Sequence, residues 1–261
     1  WEALEAEKNQ EKPKVQLVIK DMEGNVVRRV KGRTSAGMHR INWDLRYDGK
    51  NMERLEASRS RRSWGGYPVT PGKYTATLTK VVDGKVSQLG EPVEVEVVPL
   101  RKGALEGASY DEMIAFRKDL QSFQEDLSSS AYMLKESMNK VKAMQRALNR
   151  SDREAPELVA TLHDAKMQLM AMDMRLNGNS IKGEVGENTP PTPRSRMFMG
   201  YRALTTTYGP PKMHKEMVAL GQKELAGIQE EMEAMIKDLM PKLEEAMQDA
   251  GAPMIEGIGS E

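Results

Sequence analysis

The chain has 261 residues, with 39 basic side chains set against 39 acidic ones and no cysteine. This balance gives neither nucleic acid nor an anionic membrane surface an electrostatic claim on the whole chain. The missing cysteine excludes disulfides, thiolate metal sites and a cysteine nucleophile, and no apolar run approaches the roughly 18 residues of a membrane span.

The chain opens on Trp1-Glu2-Ala3-Leu4, without a signal peptide. It reads as a segment of a longer protein whose targeting signal lies elsewhere. Residues 1–11 are charged and helix-compatible, as in a linker from an upstream domain. From residue 12 the period changes to two. Val15, Leu17 and Ile19 alternate with their neighbours as a strand. Asp21 to Asn25 is a turn in which Gly24 takes positive φ, and Val26 to Val30 is the return strand.

Lys31 to Gly37 is a loop. The stretch Ala36 to Tyr47 then reads as a further strand, with Ile41, Trp43 and Leu45 on one face and Asn42, Asp44 and Arg46 on the other. Trp43 is expected in the core, where its indole N–H needs an acceptor. Residues 47–67 interrupt the alternation. Pro71-Gly72 restarts it, and Tyr74, Ala76 and Leu78 share a face opposite Thr75, Thr77 and Thr79. Asp83-Gly84 signals a hairpin, and Val93, Val95 and Val97 mark a last strand. Six or seven short strands over residues 12–100 predict an immunoglobulin-like β-sandwich.

A helical half follows. Ser109-Tyr110-Asp111-Glu112 is a capping box. Met113, Leu120, Leu127, Leu134, Val141 and Leu148 recur every seven residues, with Phe116, Phe123, Ser130 and Ser137 in the alternate seam. That pattern predicts one long helix of roughly 60 Å. A turn at Asn149 to Asp152 leads to a second helix carrying Leu158, Leu162, Ala165, Leu169, Met172 and Leu176. Residues 178–196 form a proline-bearing loop, and a short helix is placed over 196–206. The final helix carries Met217, Leu220, Leu225, Ile228, Met232, Met235, Leu239 and Leu243. Pro241 is expected to kink it or remove a hydrogen bond. All methionines but Met22, Met38 and Met52 follow residue 110, where they fill irregular gaps between helices. The fold class is therefore α+β: the sandwich at 12–100, then an antiparallel bundle of three long helices plus a short one at 108–250, with a tail at 251–261. The short turn between the first two helices favours internal packing of the stripes over an intermolecular coiled coil.

Three segments together carry a resemblance: Gly24-Asn25-Val26-Val27-Arg28, Ala36 to Asp44, and Pro71-Gly72-Lys73-Tyr74. They resemble the immunoglobulin-like fold of flagellar hook-cap and related bacterial surface modules. The string Trp43-Asp44-Leu45-Arg46-Tyr47 is similar to the C-terminal region of bacterial sortilin-like, BNR-repeat β-propeller proteins, often labelled glycosyl hydrolases. The Thr-Pro-Arg at 192–194 and Gly-Pro-Pro at 209–211 also look like that family's tail. Where the family usually has Asp-Pro-Arg after the last strand, this chain has Val98-Pro99-Leu100-Arg101, which keeps the proline and an arginine without the aspartate. The signature positions are Trp43, Asp44, Leu45, Arg46, Pro71, Gly72 and Tyr74. The resemblance covers most of the chain. It implies a non-catalytic accessory region of an exported, extracytoplasmic protein, which packs against its own upstream propeller or another surface protein. The alternatives are a glycan-acting hydrolase whose active site lies in the propeller, and a carbohydrate-binding module.

The residues themselves suggest no reaction. His39, His163 and His214 lie in different elements, without metal-ligand spacing. Glu230, Glu231, Glu233, Glu244 and Glu245 read as solvated helix faces, and nothing builds the cleft that paired catalytic carboxylates need. No phosphate loop or nucleophile elbow is present, and no cofactor or metal is expected. The 47–67 excursion is the candidate interaction site. Arg59, Arg61, Arg62, Trp64 and Tyr67 combine cations with flat rings suited to a protein partner or a glycan. The plainer alternative is a charged loop with Trp64 tucked back on the sandwich.

Overall fold

The computed structural model describes residues 1–49, 66–100, 106–206 and 208–255. The fold class is α+β: an antiparallel sheet followed by helices. The chain forms two compact units, 1–117 with 207–209, and 118–206 with 210–261.

In the first unit, helix α1 (Glu2–Asn9) buries no side chain. Strands β1 (Lys14–Lys20), β2 (Val26–Lys31), β3 (Gly72–Val82) and β4 (Lys85–Val97) form one antiparallel sheet in the order β2-β1-β3-β4. The predicted turns hold. Gly24 has φ +84°, and its amide donates to the Asp21 carbonyl. Asp83 and Gly84, at φ +49° and +73°, make the tight β3–β4 hairpin that needs positive φ at both positions. Register places Ile19 opposite Ala76 and Tyr74 opposite Val95. Ile19, Val27 and Tyr74 are the buried centre, with Leu17, Trp43, Tyr47, Val69, Ala76 and Val97 packed against them.

Two expectations are corrected here. Among the described residues the ladder has four strands, not six or seven, and Met38 to Leu45 is not one of them. Just after that segment, Arg46 makes an isolated antiparallel bridge with Pro68. Leu45 does not join Trp43 in the core. Its φ of +55° turns the chain over, and the side chain is 46% exposed. The alternating sequence here lines a loop that supplies the Trp43 side chain to the core without a strand ladder. β4 is an edge strand, and Pro92 and the Gly90 bulge interrupt it. Both features obstruct pairing with a further strand.

Helix α2 (Tyr110–Leu148) crosses from the first unit into the second. Its start is the predicted one, with the Glu112 amide donating to Ser109 Oγ at 3.2 Å. Leu120, Leu127, Leu134, Val141 and Leu148 are buried along the heptad row, and Phe116, Phe123, Ser130, Ser137 and Met144 along its partner row. Ser130 is satisfied twice: its hydroxyl donates to the Asp126 carbonyl and accepts from Gln229 Nε2. Helix α3 (Pro156–Asn177) buries all six predicted positions, from Leu158 to Leu176. Short α4 (Ser180–Glu184) and α5 (Pro193–Ala203) follow. The second starts three residues earlier than expected, because Thr192 and Ser195 form a capping box with Pro193 in the first turn.

Helices α6 (Lys212–Ala234) and α7 (Met240–Asp249) are joined by a π-turn, Met235–Leu239. Asp119 meets Gln222 and Lys140 meets Glu244, so α2 and α6–α7 run parallel. Arg175 meets Glu231 and Arg153 reaches the Asp249 carbonyl, so α3 runs antiparallel to them.

The start of the α6 stripe differs from expectation. Val218 and Gly221 are buried, whereas Leu220 is exposed. A Cβ at Gly221 would lie 2.9 Å from Phe123, and one at Gly200 would lie 2.8 Å from Leu120. The helices touch here through missing side chains. Further along, Met240 replaces the predicted Leu239 in the core. Met235 to Leu243 is eight residues over two turns, more than an α-helix holds. The π-turn absorbs the excess, and the Met240 amide donates to Met235 five residues back. The same wide turn sets Pro241 in the first turn of α7, where its missing N–H is tolerated.

Candidate functional site

The described part of the candidate site is the neck of the 47–67 excursion. It is built by Trp43-Asp44-Leu45-Arg46-Tyr47-Asp48 on the way out and Gly66-Tyr67-Pro68-Val69 on the way back. Leu45 in the left-handed region costs about 1–2 kcal/mol. Its neighbours offset that strain. Asp44 Oδ1 accepts the Arg46 amide at 3.2 Å, closing a local turn. Trp43 Nε1 donates to the Arg46 carbonyl at 3.1 Å, which supplies the acceptor the indole needs. The Trp43 ring meets Tyr74 edge-on, centroids 5.4 Å apart. The aspartate, leucine and arginine of the signature thus make one compact turn on the indole.

The two arms of the neck are joined by backbone. The Tyr47 amide donates to the Tyr67 carbonyl and the Val69 amide to the Leu45 carbonyl, both at 2.9 Å. Arg46 Nη1 adds a bond to the Gly66 carbonyl at 3.2 Å. A Cβ at Gly66 would overlap the Tyr47 carbonyl and lie 2.8 Å from the Asp48 oxygen, so the arms can close this tightly only on glycine.

Strand β2 anchors the outgoing arm. Arg28 Nη1 donates to the Tyr47 carbonyl at 3.0 Å and lies 3.3 Å from Asp48 Oδ1, and Arg28 Nη2 lies 3.5 Å from Asp44 Oδ2. The first turns of α2 add a second cation to the same unit. The Arg117 guanidinium lies 3.7 Å above the Tyr47 ring, a contact worth about 1–2 kcal/mol when shielded from water. Its Nη1 is buried and has no hydrogen-bond partner among the described residues. The Tyr74 hydroxyl donates to the Thr70 carbonyl at 2.6 Å. Burial holds that phenol above its usual pKa, and the bond to Thr70 opposes this in part.

Of the predicted contact residues, Tyr67 is buried, 6% exposed. It is part of the neck and does not offer an open ring. Arg59, Arg61, Arg62 and Trp64 lie outside the described residues. Gly72 opens strand β3, with Pro71 just before it and Tyr74 two residues on. The sequence pattern assigns no site role to Arg28, Asp48, Gly66 or Arg117, since a lone charge or glycine carries no periodic signal.

Outside the neck, Arg196 is buried in the helical unit. It makes two bonds to Glu224, at 2.9 and 3.0 Å. A cleft of about 620 Å³ lies between α3, α4, the 189–193 loop and α6. Among the described residues no group of three or more histidine, aspartate or glutamate side chains is placed to hold a metal ion. His39 bonds to Ser35, four residues before it. Among those residues no helix is long and apolar enough to cross a membrane. Comparison with protein-family models, with curated proteins and with solved structures gives no match to this chain.

Proposed function

We propose that this chain is a non-catalytic interaction region. In this reading it presents the 47–67 excursion, with Arg59, Arg61, Arg62 and Trp64, to a protein partner. The neck is the observation that carries the reading. Backbone bonds at Tyr47, Asp48 and Val69, and a glycine that admits no side chain, fix both ends of the excursion at one place. A loop leaving a rigid base gives up less conformational freedom on binding than one with free ends. Arginine and tryptophan are the side chains that most often dominate protein interfaces.

The resemblance supplies the partner within this proposal: a β-propeller upstream in the same exported protein, or a neighbouring surface protein. Tyr67 in the neck leaves Trp64 as the sole aromatic ring among the five residues for a sugar platform, which disfavours a carbohydrate-binding role. The test is calorimetric titration of the chain against the separately produced upstream region of its parent protein. The reading expects saturable binding, weakened at least tenfold by the triple change Arg59→Ala, Arg61→Ala, Arg62→Ala. Saturable binding that the triple change leaves intact, or glycan turnover by the chain alone, contradicts it.

A further inference from the structure

Three methionines stand in line on the outer side of α3. Met167, Met170 and Met174 are 50, 40 and 45% exposed. Their spacing of three and four residues puts them on one face of the helix. Met172, between them in sequence, is buried.

Among the described residues, only Met174 of the three has a polar donor at its sulfur: Asn179 Nδ2, at 3.7 Å. The Asn179 amide is held in place. Its Oδ1 caps α4 by accepting the amides of Ile181 and Lys182 at 3.1 and 3.2 Å. With that oxygen committed, the nitrogen is directed at the sulfur. Met174 also lines the 620 Å³ cleft together with Arg175 and Lys182. A thioether is a weak acceptor, so the Asn179 amide is poorly used by methionine itself, whereas Arg175 and Lys182 are already paired with Glu231 and Glu187. A sulfoxide oxygen is a strong, polar acceptor and suits the amide better.

We propose that Met174 is a sulfoxidation site for peroxide-class oxidants, with the Asn179 amide holding the product. The sulfur lone pair attacks one peroxide oxygen, an S–O bond forms and the O–O bond breaks. The departing hydroxide takes the proton from the transferred oxygen and leaves as water. Sulfur loses two electrons and the peroxide gains them. Oxidation turns this part of the cleft wall from apolar to polar without placing a polar group in the core. At Met167 and Met170 no donor from the described residues is held at the sulfur in this way. At Met144 or Met232, 0 and 2% exposed, it would sit inside the buried core.

The test compares two proteins that both carry Met167→Leu and Met170→Leu, one with Asn179 and one with Asn179→Asp. Aspartate keeps an oxygen that caps α4 and replaces the donor to sulfur with a charged acceptor. Each is treated with hydrogen peroxide, mapped by peptide mass and melted before and after. The other exposed methionines oxidise alike in both proteins and cancel. Met174 is expected to convert before Met144, Met172 and Met232. Oxidation should lower the melting midpoint by about 2–4 °C more in the Asn179→Asp protein, the shift that one hydrogen bond gives in a chain of this size. An unmodified Met174, or equal shifts in the two proteins, overturns the proposal.

Discussion

Asp48 closes the open edge of strand β2 at Arg29. Its carboxylate accepts the Arg29 amide at 3.1 Å, while its own amide donates to the neighbouring Val27 carbonyl at 3.0 Å. One residue thereby does the work of a short strand on the outer side of the sheet. It also joins the excursion to β2. Asp48→Ala is expected to cost about 1 kcal/mol, a typical net hydrogen-bond contribution at an exposed site, read as a lower urea midpoint. It should also expose the β2 edge, so sedimentation velocity should show self-association rising with concentration. Asp48→Asn keeps an acceptor for Arg29 and should retain most of the stability.

Two glycines should respond in opposite directions to alanine. Gly66→Ala drives a methyl group into the carbonyls of Tyr47 and Asp48, and should destabilise the first unit by about 1–3 kcal/mol. Gly227 lies inside α6 with nothing within 4 Å of an added Cβ. Gly227→Ala should stabilise the helical unit by about 0.5–1 kcal/mol through helix propensity alone. Thermal melts followed by circular dichroism separate the two outcomes.

In the helical unit the Arg196–Glu224 pair is expected to be costly to break and cheap to replace. Arg196 is 10% exposed at its side chain and Glu224 33%. Glu224→Ala leaves the guanidinium buried without its anion and should cost about 3 kcal/mol, the low end for a buried pair because Glu224 still touches solvent. Arg196→Met with Glu224→Leu removes both charges and should recover most of that loss in urea unfolding.

Alkali should weaken the sheet through Tyr74. Its folded pKa lies above that of the unfolded chain, chiefly because the ring is buried. The folded form therefore holds the phenol proton more tightly. The stability this gives is fully present below about pH 10 and is lost as pH rises through the folded value. Tyr74→Phe should flatten that alkaline slope in a pH series of urea midpoints. At neutral pH it should cost about 1 kcal/mol for the lost bond to Thr70.

The helical stripes were legible because apolar periodicity and burial are the same fact wherever side chains make the contact. Leu158 to Leu176 follow it without exception. Legibility failed where contacts are made by absent side chains, as at Gly200 and Gly221, and where Met235 to Leu239 widen into a π-turn that exchanges Leu239 for Met240. In the β half, alternation from Met38 to Leu45 promised a strand. Asp44 and Leu45 made a turn instead, because a carboxylate two residues before an amide competes with any ladder for it. The signature residues Trp43 to Arg46 were visible in the sequence, but their meeting with Arg28, Gly66 and Tyr67 depends on pairings nearly 20 or more residues apart.

Amide hydrogen exchange at Arg29, Tyr47, Asp48 and Val69 tests the pinned neck most directly. A base that holds the excursion should protect these four amides nearly as well as those of β1. Exchange at the rate of unstructured chain would mean that the arms are not joined, and the proposed presentation of the excursion would lose its foundation.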